Sequence, residues 1–282
     1  MSANYRWERR IERAEQLAKT LPYARQILEF YSVILKWQHQ MFRHISAASD
    51  ARRLTGSLEI DHSVVLDHFA SLLTLVKSHG SETLAAQANE LAANRDSWRS
   101  LLASYWNGGQ DCEVFFARAC LQPYLELLAN KQAQPFDSSL TAFAGAHADT
   151  ELQPRRLCPF CGRKPQLALL SDETDMPGVA GSAEGGRRFL MCGDCLTLWP
   201  YQRIACAYCP EVVPSKLAYY AAQDMPHIRV ECCESCEHYI KSIDLTQDQR
   251  PVPVVDELAA VPLDLWAKEK GYIKIQPNLA AV

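Results

Sequence analysis

The sequence lacks a long apolar segment. Its 282 residues contain no run of about eighteen consecutive apolar residues, so we expect no helix that spans a membrane. The N-terminal stretch MSANYRWERRIERAEQL is charged and has no apolar core of the kind that a secretory signal requires. These absences predict a cytoplasmic protein, in a compartment where thiols stay reduced.

Familiar catalytic signatures are missing as well. The sequence has no phosphate-binding loop, no Rossmann glycine pattern, no nucleophile elbow and no HExxH motif. Glu59 and His62 have the spacing of half a di-iron carboxylate motif, but we find no second copy and interpret them as a partly exposed helix face. The sequence therefore predicts no catalytic residues and no organic cofactor.

A basic excess, which nucleic-acid-binding proteins usually show, is absent. The chain has 29 Lys and Arg against 33 Asp and Glu, a formal charge of −4. Residues 155–244 hold ten basic and eleven acidic residues, and two divalent ions held by eight thiolates would lower that charge by four more. Phosphate backbones repel such a module, so a zinc ribbon that binds nucleic acid is a disfavoured alternative.

Cysteine, in contrast, is abundant. Eight of the eleven cysteines form four Cys-x-x-Cys pairs: Cys158/Cys161, Cys192/Cys195, Cys206/Cys209 and Cys233/Cys236. In a reducing compartment this spacing indicates metal ligands rather than disulfides, and eight thiolates complete two tetrahedral sites. Four sulfurs suit zinc and a rubredoxin-type iron equally, and they leave no open position for hydrolytic metal catalysis.

The four pairs can share two metals in two ways. Sequential grouping joins the first pair with the second and the third with the fourth, whereas interleaved grouping joins the first with the third. We favour sequential grouping, because local closure costs less loop entropy. Only Cys233 has the x-x spacing to Cys236, so we expect the adjacent Cys232 to be either a small buried residue or a reactive thiol beside the site.

Four further residues carry local expectations. Gly162 follows the CPFC turn and can take a positive φ, whereas the other three pairs lack that glycine. We expect Cys112 and Cys120 to be buried in the helical core. His238 is either a donor to the nearby cysteine site or, on the safer interpretation, a surface histidine.

The pattern of apolar residues divides the chain. Residues 1–150 have helical periodicity and predict a bundle, while 155–200 and 201–248 each predict one four-cysteine module built on a β-hairpin. Residues 250–282 predict an extended arm and a helix, and the Gly-rich, acidic stretch 171–186 predicts a hairpin-tip loop. The expected strands are Gln166–Leu170, Arg187–Cys192, Leu198–Ala205, Lys216–Ala221, Ile228–Cys232 and Tyr239–Leu245. The fold class is α+β: an N-terminal helical bundle, two tandem rubredoxin-like or zinc-ribbon-type modules and a C-terminal helix.

The order of the cysteine motifs resembles one family, the FdhE formate dehydrogenase accessory proteins. The resemblance is carried by CPFCG, RRFLMCGDC, LTLWPYQRIACAYC, VECCESCEHYIKSID and the tail VVDELAAVPLDLWAKEKGYIKIQPN. It covers residues 155–282 closely and the helical half more weakly, where FFARACLQPYLELLA is the best segment. Cys232 and the long loop depart from the family pattern.

This resemblance implies a non-catalytic, cytoplasmic factor that assembles respiratory formate dehydrogenase and contacts its catalytic subunit. It implies that the eight paired cysteines bind metal, with iron favoured and zinc possible. Two alternatives stay open: a rubredoxin-like protein that passes one electron to or from the same client, and the nucleic-acid-binding ribbon described above.

Overall fold

The computed structural model describes residues 3–51, 54–109, 114–131, 155–172, 186–246 and 248–280. The chain divides into two compact units, Met1–Phe136 and Asp137–Val282. The expectations for Cys112 and for most of the loop 171–186 fall outside the described residues. The α+β fold class is confirmed, since a helical unit precedes a unit built on a sheet.

The first unit is helical throughout its described part. Its helices are α1 (Ala3–Thr20), α2 (Arg25–Ala51), α3 (Leu58–His79), α4 (Glu82–Ala93), α5 (Ser97–Trp106) and α6 (Val114–Lys131), with a 3-10 turn at Pro22–Ala24. Helix α2 turns an apolar stripe inward, since Tyr31, Ile34, Met41 and Ile45 are all buried. Among the described helices, none combines the length and apolarity needed to cross a bilayer.

Helix α6 is buried on every side, from Phe116 to Leu128. Its polar side chains therefore need partners inside the unit. Glu126 accepts two hydrogen bonds from Arg10, at 2.9 and 2.8 Å, and Gln122 accepts one from Gln38 at 2.9 Å. Pro123 lies within this helix, which continues for eight residues beyond it, to Lys131.

The second unit contains one sheet. Its strands are β1 (Pro165–Ser171), β2 (Arg187–Cys192), β3 (Leu198–Pro200), β4 (Leu217–Ala221), β5 (Ile228–Cys233), β6 (His238–Asp244) and β7 (Ile273–Lys274). The spatial order is β3-β2-β1-β6-β5-β4, and β7 pairs with β6. All six expected strands are present, although β3 ends at Pro200 instead of reaching Ala205; the last ladder bond on this side runs from the N–H of Tyr201 to the carbonyl of Arg188, at 3.0 Å.

One parallel pairing joins the strands of the two cysteine modules. Strands β1 and β6 run parallel, with Leu167 opposite Lys241 and Leu170 opposite Asp244, whereas β2 and β5 pair antiparallel with their neighbours. The strands expected for residues 155–200 and 201–248 therefore belong to a single sheet.

The C-terminal segment differs from the expected arm and single helix. It forms two short helices, α7 (Pro253–Ala259) and α8 (Val261–Glu269), before β7. Each has a proline in its first turn, where the missing N–H has no intrahelical partner to lose.

Helices α7 and α8 meet the sheet through a buried ionic network. Lys241 on β6 lies 2.9 Å from Oε1 of Glu257 and 2.5 Å from Oδ2 of Asp264. Lys274 on β7 lies 2.5 Å from the same glutamate and 2.8 Å from the same aspartate. Two ammonium groups thus balance two carboxylates out of contact with water, which is the condition for burying charge without a large penalty.

Candidate metal centres

The two cysteine groups are built on the same plan. In the first, Cys158 and Cys161 precede β1, while Cys192 ends β2 and Cys195 lies in the turn that follows. In the second, one pair precedes β4, and the other lies at and just after the end of β5. Antiparallel pairing of β1 with β2, and of β4 with β5, brings each early pair beside its later pair.

The first group has the dimensions of a metal tetrahedron. The sulfur of Cys161 lies 3.4 Å from that of Cys192 and 3.6 Å from that of Cys195. The sulfurs of Cys158 and Cys195 are 3.5 Å apart, and all four lie within 4.8 Å of one another. A tetrahedron with metal–sulfur bonds of about 2.3 Å has edges of about 3.8 Å, so the arrangement fits a metal ion.

The second group has similar dimensions. The sulfurs of Cys206 and Cys236 are 3.7 Å apart, and those of Cys209 and Cys233 are 3.6 Å apart. All four again lie within 4.8 Å of one another. The predicted sequential grouping is thereby confirmed.

Cys232 does not join the second group. Neighbouring side chains on a strand point to opposite faces, so β5 directs Cys233 toward the other sulfurs and Cys232 away from them. The Cys232 side chain is buried, and this burial, with Glu231 and Cys233 adding to it, raises the pKa of its thiol to about 12. These observations favour a small buried residue over a reactive thiol.

Backbone N–H groups point at the sulfurs, as metal-bound thiolates require. Asp194 N lies 3.4 Å from the sulfur of Cys192, and Tyr208 N lies 3.3 Å from the sulfur of Cys206. Cys209 N lies 3.4 Å from the same Cys206 sulfur. Each donor lies two or three residues after its acceptor, so the tight Cys-x-x-Cys turn itself supplies the hydrogen bonds.

The thiols in each group cannot all ionise without a cation. Burial raises the pKa of Cys195 well above its usual value, and the neighbouring sulfurs raise it further. Burial also raises the pKa of Cys206, to about 11. At Cys209 burial acts in the same direction, but the backbone N–H of Glu211 and the adjacent sulfurs outweigh it and lower the pKa. A divalent ion would neutralise the crowded thiolates, so the chemistry of the donors agrees with their spacing.

In three of the four pairs, the residue after the second cysteine takes the same backbone conformation. Gly162 has φ 71°, as its sequence suggested, but Leu196 and Glu237 also take positive φ, at 58° and 57°. Gly162 and Glu237 each donate their N–H to the carbonyl of the first cysteine of the pair, at 2.9 Å. Sequence reasoning missed the two strained positions, because only the glycine signals this conformation directly.

Aromatic contacts connect the first cysteine turn to the second group. Lys164 Nζ lies 5.1 Å from the ring centre of Tyr208, inside the third Cys-x-x-Cys turn. That ring stacks on His238 at 3.7 Å, and His238 Nδ1 donates to the carbonyl of Cys236 at 2.7 Å. His238 is therefore half-buried beside the second cysteine group. From the sequence, a contact with that group was the less favoured of the two interpretations of His238.

The other candidate residues lie apart from these groups. Glu59 is exposed, and its carbonyl accepts a hydrogen bond from Nδ1 of His62 at 2.8 Å. Neither belongs to a cluster of metal-binding side chains among the described residues. Cys120 is fully buried in α6, as expected, and burial raises the pKa of its thiol.

Comparison with known proteins finds similar chains of one family. A family model described as "FdhE, C-terminal domain" matches residues 204–280. A "Protein FdhE homolog" of Aquifex aeolicus is 31% identical over 284 residues, which cover 95% of this chain and 93% of that protein. "Protein FdhE" of Escherichia coli K12 is 24% identical over 290 residues, covering 96% of this chain and 86% of the relative.

A solved structure supports the fold. The crystal structure of the FdhE protein from Pseudomonas aeruginosa aligns with a TM-score of 0.68 at 23% identity. The alignment covers 100% of this chain and 97% of the solved one.

Proposed function

Because this chain belongs to the FdhE family, we propose that it is a cytoplasmic accessory protein for the assembly or activation of respiratory formate dehydrogenase. The structural observation that carries this proposal is the pair of closed four-cysteine groups. We propose that all eight paired cysteines are metal ligands and that the two metal ions organise a surface that binds the catalytic subunit of the client enzyme.

The chemistry of the donors supports binding in preference to hydrolysis. Four sulfurs fill a tetrahedral coordination sphere, so neither group retains a position for water or substrate. The backbone donors and the sheet hold each sulfur in place. Iron is our first choice of metal, from the family resemblance, and zinc suits the same four thiolates.

A second candidate function is one-electron transfer to or from the same client. Cys161 in the first group, and Cys209 and Cys236 in the second, are only half-buried, so both groups reach the surface. An iron ion held by four thiolates can exchange one electron, whereas zinc cannot. A colourless, redox-silent protein that still activates the client would eliminate this candidate.

The main test is complementation in a formate-respiring bacterium from which the corresponding gene has been deleted. The wild-type chain is expected to restore formate dehydrogenase activity and to co-purify with the catalytic subunit, and Cys206→Ser is expected to do neither. Cys232→Ser is the matched control, since its side chain lies outside both groups. Full activity in cells that produce Cys206→Ser, or no contact between the wild-type chain and the catalytic subunit, would overturn the proposal.

A further inference from the structure

The two cysteine groups differ in how closely the protein encloses them. In the first group, Cys158, Cys192 and Cys195 are at most 3% exposed, and only Cys161 is half-buried. In the second group, Cys209 and Cys236 are both half-buried. One cysteine of the first group and two of the second therefore extend toward solvent.

A cavity makes the second group more accessible still. Its other two cysteines, Cys206 and Cys233, are only 5% and 2% exposed, but both line a cavity of about 410 Å³. This volume falls within the range of pockets that hold small ligands, about 300–1,000 Å³. None of the four cysteines of the first group, all of which lie in the described part of the chain, borders the cavity. Every cysteine of the second group thus borders either the outer surface or the cavity.

A buried ion pair joins the two cysteine turns of the first group. Arg163 lies two residues after Cys161, and Asp194 lies two residues after Cys192. Nε of Arg163 is 2.8 Å from Oδ2 of Asp194, whose side chain is 3% exposed. A charge-assisted hydrogen bond away from water is strong and is screened little by salt. This bond therefore holds the two turns together in addition to any shared metal ion.

The corresponding bond in the second group lies at the surface. Glu211 and Ser235 occupy the equivalent positions in its two turns, each two residues after a cysteine. The hydroxyl of Ser235, an exposed residue, donates to Oε2 of Glu211 at 2.5 Å. Nζ of Lys216 lies 3.3 Å from the same oxygen, and its side chain is 52% exposed. Water competes for both contacts, so they hold the turns together less firmly than the buried ion pair does.

We propose that the second cysteine group is the exchange centre of this protein, at which a small thiol or chelating ligand from solution takes up or delivers the metal ion, whereas the first group holds its ion as a structural centre. Exchange is a ligand substitution: a donor atom of the entering molecule replaces one cysteine sulfur, which then takes a proton from water. Accessible sulfurs and loosely joined turns favour this step at the second group. The inference rests on the proposed function in that the eight cysteines bind two metal ions.

Release of zinc to a chelator measures the difference. The full, zinc-loaded chain is mixed with an excess of a coloured pyridylazo chelator, whose absorbance reports the zinc that has left the protein. We expect one equivalent to leave at least about tenfold faster than the other, because substitution at an enclosed site first requires that site to open. Release of both equivalents at one rate would overturn the proposal.

Alkylation identifies the group that releases its ion first. Once one equivalent has left the wild-type chain, iodoacetamide is added, and the modified cysteines are located by digestion and mass spectrometry. We expect modification at Cys206, Cys209, Cys233 and Cys236 and protection of the first group. Equal modification of the two groups, or earlier modification of the first, would contradict the assignment. This experiment needs no substitution, so it does not depend on the folding of a variant.

A matched pair of variants tests the cause of the difference. Asp194→Asn weakens the ion pair of the first group, and Ser235→Ala removes the hydrogen bond at the equivalent place in the second. We expect Asp194→Asn to speed the slow phase of zinc release by about tenfold and to leave the fast phase unchanged. Ser235→Ala should speed only the fast phase, by about threefold or less. A faster fast phase in Asp194→Asn, or a faster slow phase in Ser235→Ala, would reverse the roles of the two groups.

Metal content separates this inference from the proposed function. If the wild-type chain binds fewer than two ions, the proposed metal-binding role is wrong and the exchange centre falls with it. If the chain binds two ions that leave at the same rate, the metal-binding role stands and the exchange centre alone is wrong.

Discussion

The side-chain amide of Gln38 donates to the carbonyl oxygen of Ala119 at 2.8 Å, across the interface between α2 and α6. Ala119 lies four residues before Pro123, whose nitrogen has no hydrogen to donate within the helix. Gln38 is fully buried and takes the place of the missing backbone donor. A proline is thus accommodated in the middle of a buried helix by Gln38, which lies 81 positions from Ala119 in the chain.

This relationship predicts a non-additive pair of substitutions. Gln38→Met should lower the free energy of unfolding by about 1–3 kcal/mol, because it leaves a buried carbonyl without a donor. In a Pro123→Ala background the restored N–H can bond Ala119, so the same substitution should cost less. Urea unfolding of the four proteins of the cycle measures the difference. Equal losses in both backgrounds would show that Gln38 does not replace the proline's donor.

A second prediction concerns the strained turn after Cys236. Glu237 is exposed and has φ 57°, a conformation that costs a residue with a Cβ about 1–2 kcal/mol. Glu237→Gly should therefore stabilise the metal-loaded protein by roughly 1 kcal/mol, seen as a higher midpoint in chemical denaturation. Glu237→Ala is the control, because it removes the carboxylate and keeps the Cβ. Equal stabilisation by both variants would assign the gain to the lost charge.

A third prediction concerns metal content. The geometry of the two groups leads us to expect about two metal ions per chain by elemental analysis. Cys233→Ser should lose one of them and disrupt the second module, whereas the adjacent Cys232→Ser should keep both. One ion or none in the wild type would exclude the two-site arrangement. Loss of metal from Cys232→Ser would show that Cys232, and not Cys233, is the ligand.

A fourth prediction concerns the buried ionic network. Lys241→Met leaves Glu257 and Asp264 with a single buried ammonium between them and should lower the free energy of unfolding by about 3–5 kcal/mol. Arg250→Ala, which removes an exposed pair with Asp248, should leave it close to the wild-type value, because water and salt screen such a pair. Thermal or urea unfolding distinguishes the two. Similar small losses in both variants would show that the network contributes little.

Much of the sheet unit could be predicted from local sequence. The Cys-x-x-Cys spacing determines the turn, and short-range closure favours the grouping that the sulfur positions confirm. Alternation of apolar residues located all six expected strands to within a few residues, apart from the end of β3. The turn conformation after Cys161 was also visible, because glycine marks it.

Other features were beyond local reasoning. Nothing near Leu196 or Glu237 signals a positive φ, since each is held by the closure of its cysteine group rather than by its own preference. The stack of Tyr208 on His238 joins residues 30 positions apart and has no sequence motif. The tail was expected to begin as an extended arm, but Pro253 instead begins α7, because a proline in the first turn loses no intrahelical hydrogen bond.

The sequence by itself determined the eight sulfurs, their division into two groups and the family to which the chain belongs, because these depend on short spacings and on motif order. Only the tertiary structure decided that β1 and β6 pair in parallel and that two lysines are buried with Glu257 and Asp264. It also decided that Gln38 donates to the carbonyl of Ala119, which Pro123 leaves without a helical donor. Each of these is selected by the burial and hydrogen-bond satisfaction of the whole unit, which no local pattern encodes.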